Sequence, residues 1–148
     1  MNNRRGFLIA SAAAAGWLAL PGCARAVAKP AKPLNILVLG GTGFLGPHFV
    51  EVARAKGYKL TLFNRGKSNP TRFDGEEFND IEQLQGDRKS DLSALQGDRR
   101  WDAVLDTSAY FPADVSRSAG LLAKRVKQYV IISSISVYAD NSQPGADE

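Results

Sequence analysis

The sequence predicts an α/β fold in which helices cover a parallel, doubly wound sheet. Short apolar segments alternate with helix-like segments from Leu34 onward, which is the pattern of strands joined by crossover connections. The first segment, Asn35–Leu39, has four consecutive apolar residues, as in a strand buried on both faces. Three glycines at a spacing of three residues follow it directly, and these are Gly40, Gly43 and Gly46.

Each glycine of this segment has a physical reason. Gly40 allows a tight exit from the strand, Gly43 lets the backbone approach a bulky ligand, and Gly46 lets the next helix pack closely. Amide groups at the start of that helix and its dipole favour an anion, so we expect the pyrophosphate of a dinucleotide here. A glycine-rich turn without a ligand is the alternative. The other residues expected beside the cofactor are Thr42, Phe44 and Leu45.

The end of the second strand indicates which dinucleotide is preferred. This strand covers Lys59–Phe63 and ends at Asn64, where NAD-binding sheets carry an acidic residue that bonds the adenosine ribose. A carboxylate is missing at this position, and the guanidinium of Arg65 beside it suits a phosphate. The sequence therefore predicts NADP in preference to NAD. The alternative is a surface arginine in a loop.

Between the first and fourth strands the sequence predicts one long helix and little other regular structure. The helix covers about residues 43–56, and a polar loop at 68–80 replaces the second crossover helix. A short third strand, about residues 82–84, leads to Asp87, at a strand end where ligand-facing residues lie in open α/β sheets. Ser90 is the predicted N-cap of a short helix that follows.

The fourth strand, Ala103–Thr107, brings two more residues to the same edge. Ser108 and Ala109 follow it and are expected beside the cofactor. A helix at about residues 113–124 comes next. The residues predicted on its apolar face are Val115, Ala119 and Leu122.

The fifth strand, Gln128–Ile132, leads into Ser133 and Ser134. It would lie at the edge of the sheet with apolar residues exposed, which is an aggregation hazard. We therefore expect this chain by itself to be marginally stable, homodimeric or poorly soluble.

The first 26 residues have the composition of an export signal. Arg4 and Arg5 form a basic head, and Phe7–Leu20 is apolar and rich in alanine but too short to span a membrane comfortably. The segment from Arg4 to Leu8 resembles the twin-arginine signal, which implies export of a folded protein by that machinery. We expect a bacterial protein in the periplasm or cell envelope. An ordinary export signal is the alternative.

Cys23 allows two interpretations. In one it is the lipidated cysteine of a lipoprotein box, although Pro21 is unusual there; in the other, cleavage near Ala26 removes it with the signal. Residues 27–33 then form a linker, and residues 34–148 form an incomplete dinucleotide-binding domain.

Charge and composition exclude several classes of function. The formal net charge is +4, but without Arg4, Arg5 and Arg25 only 16 basic residues face 15 acidic ones. We therefore expect no nucleic-acid partner, because that requires a clustered basic face. With His48 as the single histidine, no histidine-cluster metal site is expected, and a single cysteine forms no internal disulfide.

Four motifs in order resemble the NAD-dependent epimerase/dehydratase family of the extended short-chain dehydrogenase/reductase superfamily. The resemblance covers Leu34 to about Asp140 and implies an NAD(P)-binding Rossmann fold. It also implies that Asp87 contacts adenine and that Ser133 or Ser134 polarises a substrate hydroxyl or carbonyl. The motifs are residues 40–46, 86–88, 106–110 and 130–138.

The family's general base is a tyrosine in a Tyr-x-x-x-Lys element, and no tyrosine of this sequence fits it. The residues four positions after the tyrosines are Leu62, Asp114, Ser133 and Ser142. The sequence therefore predicts the cofactor-binding part of an epimerase, dehydratase or reductase that acts on a sugar-nucleotide-like or other small hydroxy or keto substrate. The alternative is a non-catalytic nucleotide-binding module of the envelope, or the product of a decayed gene.

Overall fold

The computed structural model describes residues 32–134, in which five strands and two α-helices alternate. The export signal, Cys23 and Tyr138 lie outside the described residues, as does most of the linker. The strands are β1 (Asn35–Leu39), β2 (Lys59–Asn64), β3 (Ile81–Gln85), β4 (Trp101–Asp106) and β5 (Val126–Ile131), and the helices are α1 (Gly46–Ala55) and α2 (Pro112–Leu122).

The five strands form one sheet in the order β3-β2-β1-β4-β5, and every neighbouring pair is parallel. The chain moves outward from β1 to β3, returns to the other side of β1 with β4, and continues to β5. The winding direction therefore reverses between β1 and β4, which is the place where open α/β sheets bind ligands. The predicted doubly wound parallel sheet is confirmed.

Strand β1 lies at the centre and is buried on both faces. Ile36 and Val38 pack with Val50 of α1 on one face. Leu37 and Leu39 pack with Leu122 of α2 on the other. Alternate residues of a strand point to opposite faces, so an apolar run is required where helices cover both.

Helix α1 begins at Gly46, three residues later than predicted. Residues 40–45 form a turn instead, in which the Gly43 amide donates to the Gly40 carbonyl at 3.2 Å. Pro47 lies in the first helical turn, where its missing amide hydrogen costs little. Gly57 follows the helix with φ of 76°, a conformation that glycine adopts without steric cost.

Helix α2 differs from the prediction in the face that it buries. Its buried residues are Asp114, Ser118 and Leu122, whereas Val115 and Ala119 of the predicted apolar face are only partly buried. Ser118 is tolerated here because its hydroxyl is hydrogen-bonded within a network described below.

The connections on either side of β3 contain only 3₁₀ turns. The predicted loop after β2 holds one at Glu76–Phe78, and Phe73 of this loop is 3% exposed against the α1 face of the sheet. After β3, the turn at Ser93–Leu95 replaces the predicted short helix. Ser90 does not cap it; the Ser93 amide donates to the Asp91 carboxylate instead, at 2.9 Å.

Strand β5 lies at the edge of the described sheet, next to β4. Val130, Ile131 and Ile132 are 36–42% exposed, as expected for an uncovered apolar edge. Within residues 32–134, no helix is long and apolar enough to cross a bilayer.

Candidate functional site

A cleft of about 550 Å³ opens at the carboxyl ends of the first four strands. That volume lies within the usual range for small-molecule sites. Nine of the residues expected beside a cofactor line it, and their role in binding stays a prediction. These nine are Gly40, Thr42, Gly43, Phe44, Leu45, Asn64, Arg65, Asp87 and Ser108.

The three glycines differ in what surrounds them. Gly40 has φ of 91°, and a Cβ there would lie 2.8 Å from the Ser108 Cβ. At Gly46 a Cβ would lie 2.2 Å from the Gly41 carbonyl oxygen, so this glycine allows α1 to pack against the glycine-rich turn. At Gly43 a Cβ would meet only the Gly40 oxygen, at 3.5 Å. The described packing therefore does not explain why residue 43 is a glycine, whereas close approach of a ligand to the backbone would explain it.

The N-terminus of α1 is open to an anion. Its first turn holds no acidic residue, and Leu45 at the N-cap makes no side-chain capping bond. The first amide groups of a helix lack intrahelical acceptors and carry the positive end of the dipole. Together with the turn beside it, this end of α1 fits a pyrophosphate.

Asn64 bonds the protein itself through its side-chain oxygen. The Thr42 amide donates to Asn64 Oδ1 at 3.3 Å, which ties the glycine-rich turn to the end of β2. Arg65 lines the cleft beside it and is exposed. Within residues 32–134 the Arg65 side chain has no hydrogen-bond or ion-pair partner, so it is free to meet a ligand.

Asp87 lies after β3, where its loop is held by its own backbone and side chain. Its Oδ1 accepts from the Lys89 amide at 2.9 Å, and its carbonyl accepts from the Ser90 amide at 3.0 Å. The carboxylate is half-buried in the cleft wall. Asp87 therefore lies in the cleft wall, and its contact with adenine stays a prediction.

The residues after β4 and β5 are placed differently. Ser108 lines the cleft, and its amide donates to Asp106 Oδ1 at 3.1 Å. Ala109 is half-buried and Gly46 is buried, but neither is among the described lining residues. Ser133 and Ser134 follow β5, are exposed, and do not line the cleft as described. The structure therefore does not bring these serines to the cleft wall.

A buried ionic network that we did not predict lies beside the cleft. Arg88, 8% exposed, donates from Nη1 and Nη2 to the two oxygens of Asp106, at 2.9 and 2.5 Å. The Tyr129 hydroxyl donates to Asp106 Oδ2 at 2.7 Å. Ser118 of α2 accepts from Arg88 Nη2 at 2.9 Å and lies 2.9 Å from the Tyr129 hydroxyl. The fully buried Asp106 carboxylate thus accepts hydrogen bonds from the Arg88 guanidinium, the Tyr129 hydroxyl and the Ser108 amide, and Ser118 supports the first two.

Burial and charge shift the ionisation of two members of this network. Burial raises the pKa of Tyr129 to about 12, and hydrogen bonding to the anionic Asp106 adds to the effect. Burial by itself would lower the pKa of Arg88, but hydrogen bonds and attraction to Asp106 raise it above its usual value. Around neutral pH the tyrosine is therefore neutral and the arginine charged.

A sequence signal for this network existed. Asp106 ends β4 directly after three apolar residues, and a buried carboxylate requires a cationic or hydrogen-bonding partner. Arg88 stands in the same short motif as Asp87 and follows the end of β3 at the same edge. The opposite charges of Arg88 and Asp106 and their shared edge of the sheet could have suggested this pair. No comparable signal in the sequence points to Ser118 or Tyr129.

Aromatic side chains surround the mouth of the cleft. Phe44, Tyr110 and Phe111 are 88, 85 and 58% exposed. The ammonium of Lys89 lies 5.1 Å from the centre of the Phe111 ring, which is a cation–π distance. Exposed aromatic rings beside a cleft favour a ligand with flat or apolar parts.

Several solved structures share this fold at low sequence identity. An epimerase from Methanothermobacter thermautotrophicus has a TM-score of 0.66 at 19% identity over 80% of this chain and 41% of its own. Yeast methylglyoxal/isovaleraldehyde reductase complexed with NADPH has a TM-score of 0.59 at 19% identity, over 72% of this chain and 39% of its own. A Bordetella bronchiseptica enzyme in complex with NAD has a TM-score of 0.51 at 15% identity, over 69% of this chain and 38% of its own. This chain spans about two fifths of each.

Sequence comparison identifies the family. No curated protein sequence is significantly similar to the chain. The model of the NAD dependent epimerase/dehydratase family matches residues 36–124, which run from β1 past the end of α2 and include the whole glycine-rich turn. Because the match covers more than half of the sequence, the chain belongs to the NAD dependent epimerase/dehydratase family.

Proposed function

We propose that this chain is the cofactor-binding part of an NAD(P)-dependent epimerase, dehydratase or reductase. The observation that carries the proposal is Gly43, a glycine in the cleft wall for which the described packing gives no reason. A dinucleotide pyrophosphate beside the turn and the N-terminus of α1 would leave no room for a Cβ at residue 43. The solved relatives bound to NADPH and to NAD support the same class of cofactor.

The residues that would hold the cofactor divide along its length. The glycine-rich turn and α1 would hold the pyrophosphate, and Asp87 the adenine. Ser108, after β4, would lie beside the nicotinamide half. The cofactor supplies hydride transfer, and the protein binds it, orients it and excludes water. A substrate of the sugar-nucleotide-like or small hydroxy or keto class, with Ser133 or Ser134 polarising its oxygen, completes the proposal for the whole protein.

We further propose that NADP is preferred over NAD. The side-chain oxygen of Asn64 accepts from Thr42, and the residue carries no charge to repel a phosphate. Arg65 and Lys67 both line the cleft next to it and are exposed, so two cations can meet the 2′-phosphate. An arginine fork matches phosphate geometry particularly well.

Titration of both cofactors against the wild-type chain and Arg65→Ala tests this preference. The wild type should bind NADP at least about tenfold more tightly, which is about 1.4 kcal/mol of binding free energy. Arg65→Ala should lower the affinity for NADP and leave that for NAD unchanged, because NAD has no 2′-phosphate. Equal affinities of the wild type for the two cofactors would show that the Arg65 argument is wrong.

The location of the protein is a further part of the proposal. Arg4 and Arg5 favour twin-arginine export to the periplasm or envelope, with Cys23 either lipidated or removed. Fractionation of cells that express wild type and an Arg4→Lys, Arg5→Lys variant tests it. Export should be lost in the variant, and export that persists would indicate an ordinary signal. A shift of the mature protein to the membrane fraction that Cys23→Ala abolishes would identify a lipid anchor.

A further inference from the structure

Thr42, in the glycine-rich turn, is bonded by two asparagines, Asn64 at the end of β2 and Asn69 in the connection that follows it. We propose that the two asparagines have separate tasks: Asn64 positions the turn for the pyrophosphate, and Asn69 positions residues 65–68 for the 2′-phosphate. Asn69 would then be a positioning residue for cofactor specificity, although it carries no charge. This inference rests on the proposed binding of NADP.

The contacts of Thr42 define the arrangement. Its amide donates to Asn64 Oδ1 at 3.3 Å, and its carbonyl accepts from Asn69 Nδ2 at 3.1 Å. Thr42 is 6% exposed, so both bonds are made by the backbone of a buried residue. The turn is fixed independently by the close packing of Gly46 against Gly41. Losing the Asn69 bond should therefore leave the turn in place.

The segment between the two asparagines has few other attachments. Arg65, Lys67 and Ser68 of this segment line the cleft and are exposed. Within the described part of the chain, no backbone hydrogen bond is made by residues 65–68. The side-chain bond of Asn69 is thus the polar contact that joins this segment to the glycine-rich turn. A loop that is fixed before binding loses less conformational entropy when its cations meet a phosphate.

The backbone of Asn69 explains why an asparagine is used. Its φ is 45°, in the left-handed region that asparagine tolerates better than most other residues. Asn69 thus combines the required turn geometry with a side-chain donor. Substitution by glycine keeps the backbone conformation accessible and removes only the donor.

The experiment compares three variants of the full chain, Asn69→Gly, Asn64→Ala and Asn79→Gly. Asn79 is an exposed residue of the same connection with no side-chain bond in the described structure, so it controls for the added flexibility of glycine. Affinities are measured for NADP, NAD and adenosine 2′-phosphate, and circular dichroism establishes that each variant is folded. Adenosine 2′-phosphate lacks the pyrophosphate, so it reports on the 65–69 segment and the adenine site but not on the glycine-rich turn.

Asn69→Gly should lower the affinity for NADP and for adenosine 2′-phosphate by about three- to tenfold, the size expected for one lost hydrogen bond. It should change the affinity for NAD by less than about twofold. Asn64→Ala should lower the affinities for NADP and NAD by the same factor and leave the affinity for adenosine 2′-phosphate unchanged. Asn79→Gly should change none of the three affinities.

Two results would overturn the inference without touching the proposed function. One is an equal loss of NADP and NAD affinity in Asn69→Gly, which would place Asn69 with the glycine-rich turn. The other is a wild-type preference for NADP that Asn69→Gly leaves unaltered. A wild type that binds the two cofactors equally would instead refute the cofactor preference, and this inference with it.

Discussion

The two sides of the cleft are held in different ways. On the side of β4, Arg88 and Asp106 are buried, form two hydrogen bonds with each other, and are joined by Tyr129. On the side of β2, Arg65 and Lys67 are exposed, and the structure gives them no partner among residues 32–134. One arginine beside the cleft is thus neutralised by a buried carboxylate, and the other is exposed without a partner in the described structure. The role of an arginine beside a cleft therefore has to be inferred from its partners as well as from its position.

The largest effect that tests this contrast is the loss of the buried cation. Arg88→Met should lower the free energy of unfolding by about 3–5 kcal/mol, because it leaves the Asp106 carboxylate buried and unpaired. Denaturation by urea measures it. Arg99→Ala is the matched control, since the pair of Arg99 with Glu82 is exposed and should contribute only about 0–1 kcal/mol.

The contrast would be contradicted if Arg88→Met lowered the free energy of unfolding by no more than Arg99→Ala does. A double variant, Arg88→Met with Asp106→Leu, sharpens the result. It should recover part of the lost stability, because replacing both partners removes the uncompensated charge.

The next effect concerns the tyrosine of the same network. Tyr129→Phe should lower the free energy of unfolding by about 1.5–3 kcal/mol, since it removes a hydrogen bond to a buried carboxylate. Chemical denaturation measures this loss at neutral pH. Tyr110→Phe, at a residue that is 85% exposed, should be without effect.

The pH dependence follows from the raised pKa of Tyr129. This pKa is about 12 in the folded protein and about 10 in an unfolded chain, so its contribution to stability is fully present below pH ~10. The contribution is lost as pH rises from about 10 to about 12. Absorbance titration of tyrosinate should show a step near 12 that Tyr129→Phe removes and Tyr110→Phe retains; a step that survives in Tyr129→Phe would contradict the assignment.

The smallest stability effect distinguishes two glycines of one turn. Gly46→Ala should lower the free energy of unfolding by about 1–3 kcal/mol, since its Cβ would overlap the Gly41 backbone. Gly43→Ala should leave stability within about 0.5 kcal/mol, because its Cβ meets only one atom, at contact distance. Gly43→Ala should nevertheless weaken dinucleotide binding, and Gly43→Val should abolish it. Unfolding curves and cofactor titrations on each variant measure these outcomes, and unchanged affinity in Gly43→Val would refute the proposed site.

Much of the site was predictable because it depends on local sequence. A glycine-rich turn after a buried strand specifies its own conformation, since only glycine fits a φ of 91° at Gly40 and the close approach at Gly46. The carboxyl ends of parallel strands meet at one edge, which brings Asn64, Asp87 and Ser108 to the same cleft.

The boundaries of some elements were not predictable to the residue. Helix α1 begins at Gly46 and not at Gly43, because residues 40–45 are used in the turn. The apolar face expected for α2 was wrong in part, since its periodicity identified Leu122 but not the buried Ser118. Hydrophobic periodicity carries no information on polar groups that are buried because another residue satisfies them.

The sequence by itself determined the parallel α/β fold and the glycine-rich turn, because each is encoded in residues that are close together along the chain; the class of ligand that it predicts stays a proposal. Only the tertiary structure decided which polar side chains pair. Arg88 reaches Asp106 although β2 and β1 lie between their strands, and Asn69 reaches Thr42 across 27 positions. Such contacts depend on the order of the strands and the path of the loops. For the same reason the structure, and not the motif, separated the buried and paired Arg88 from the exposed Arg65, which has no described partner among residues 32–134.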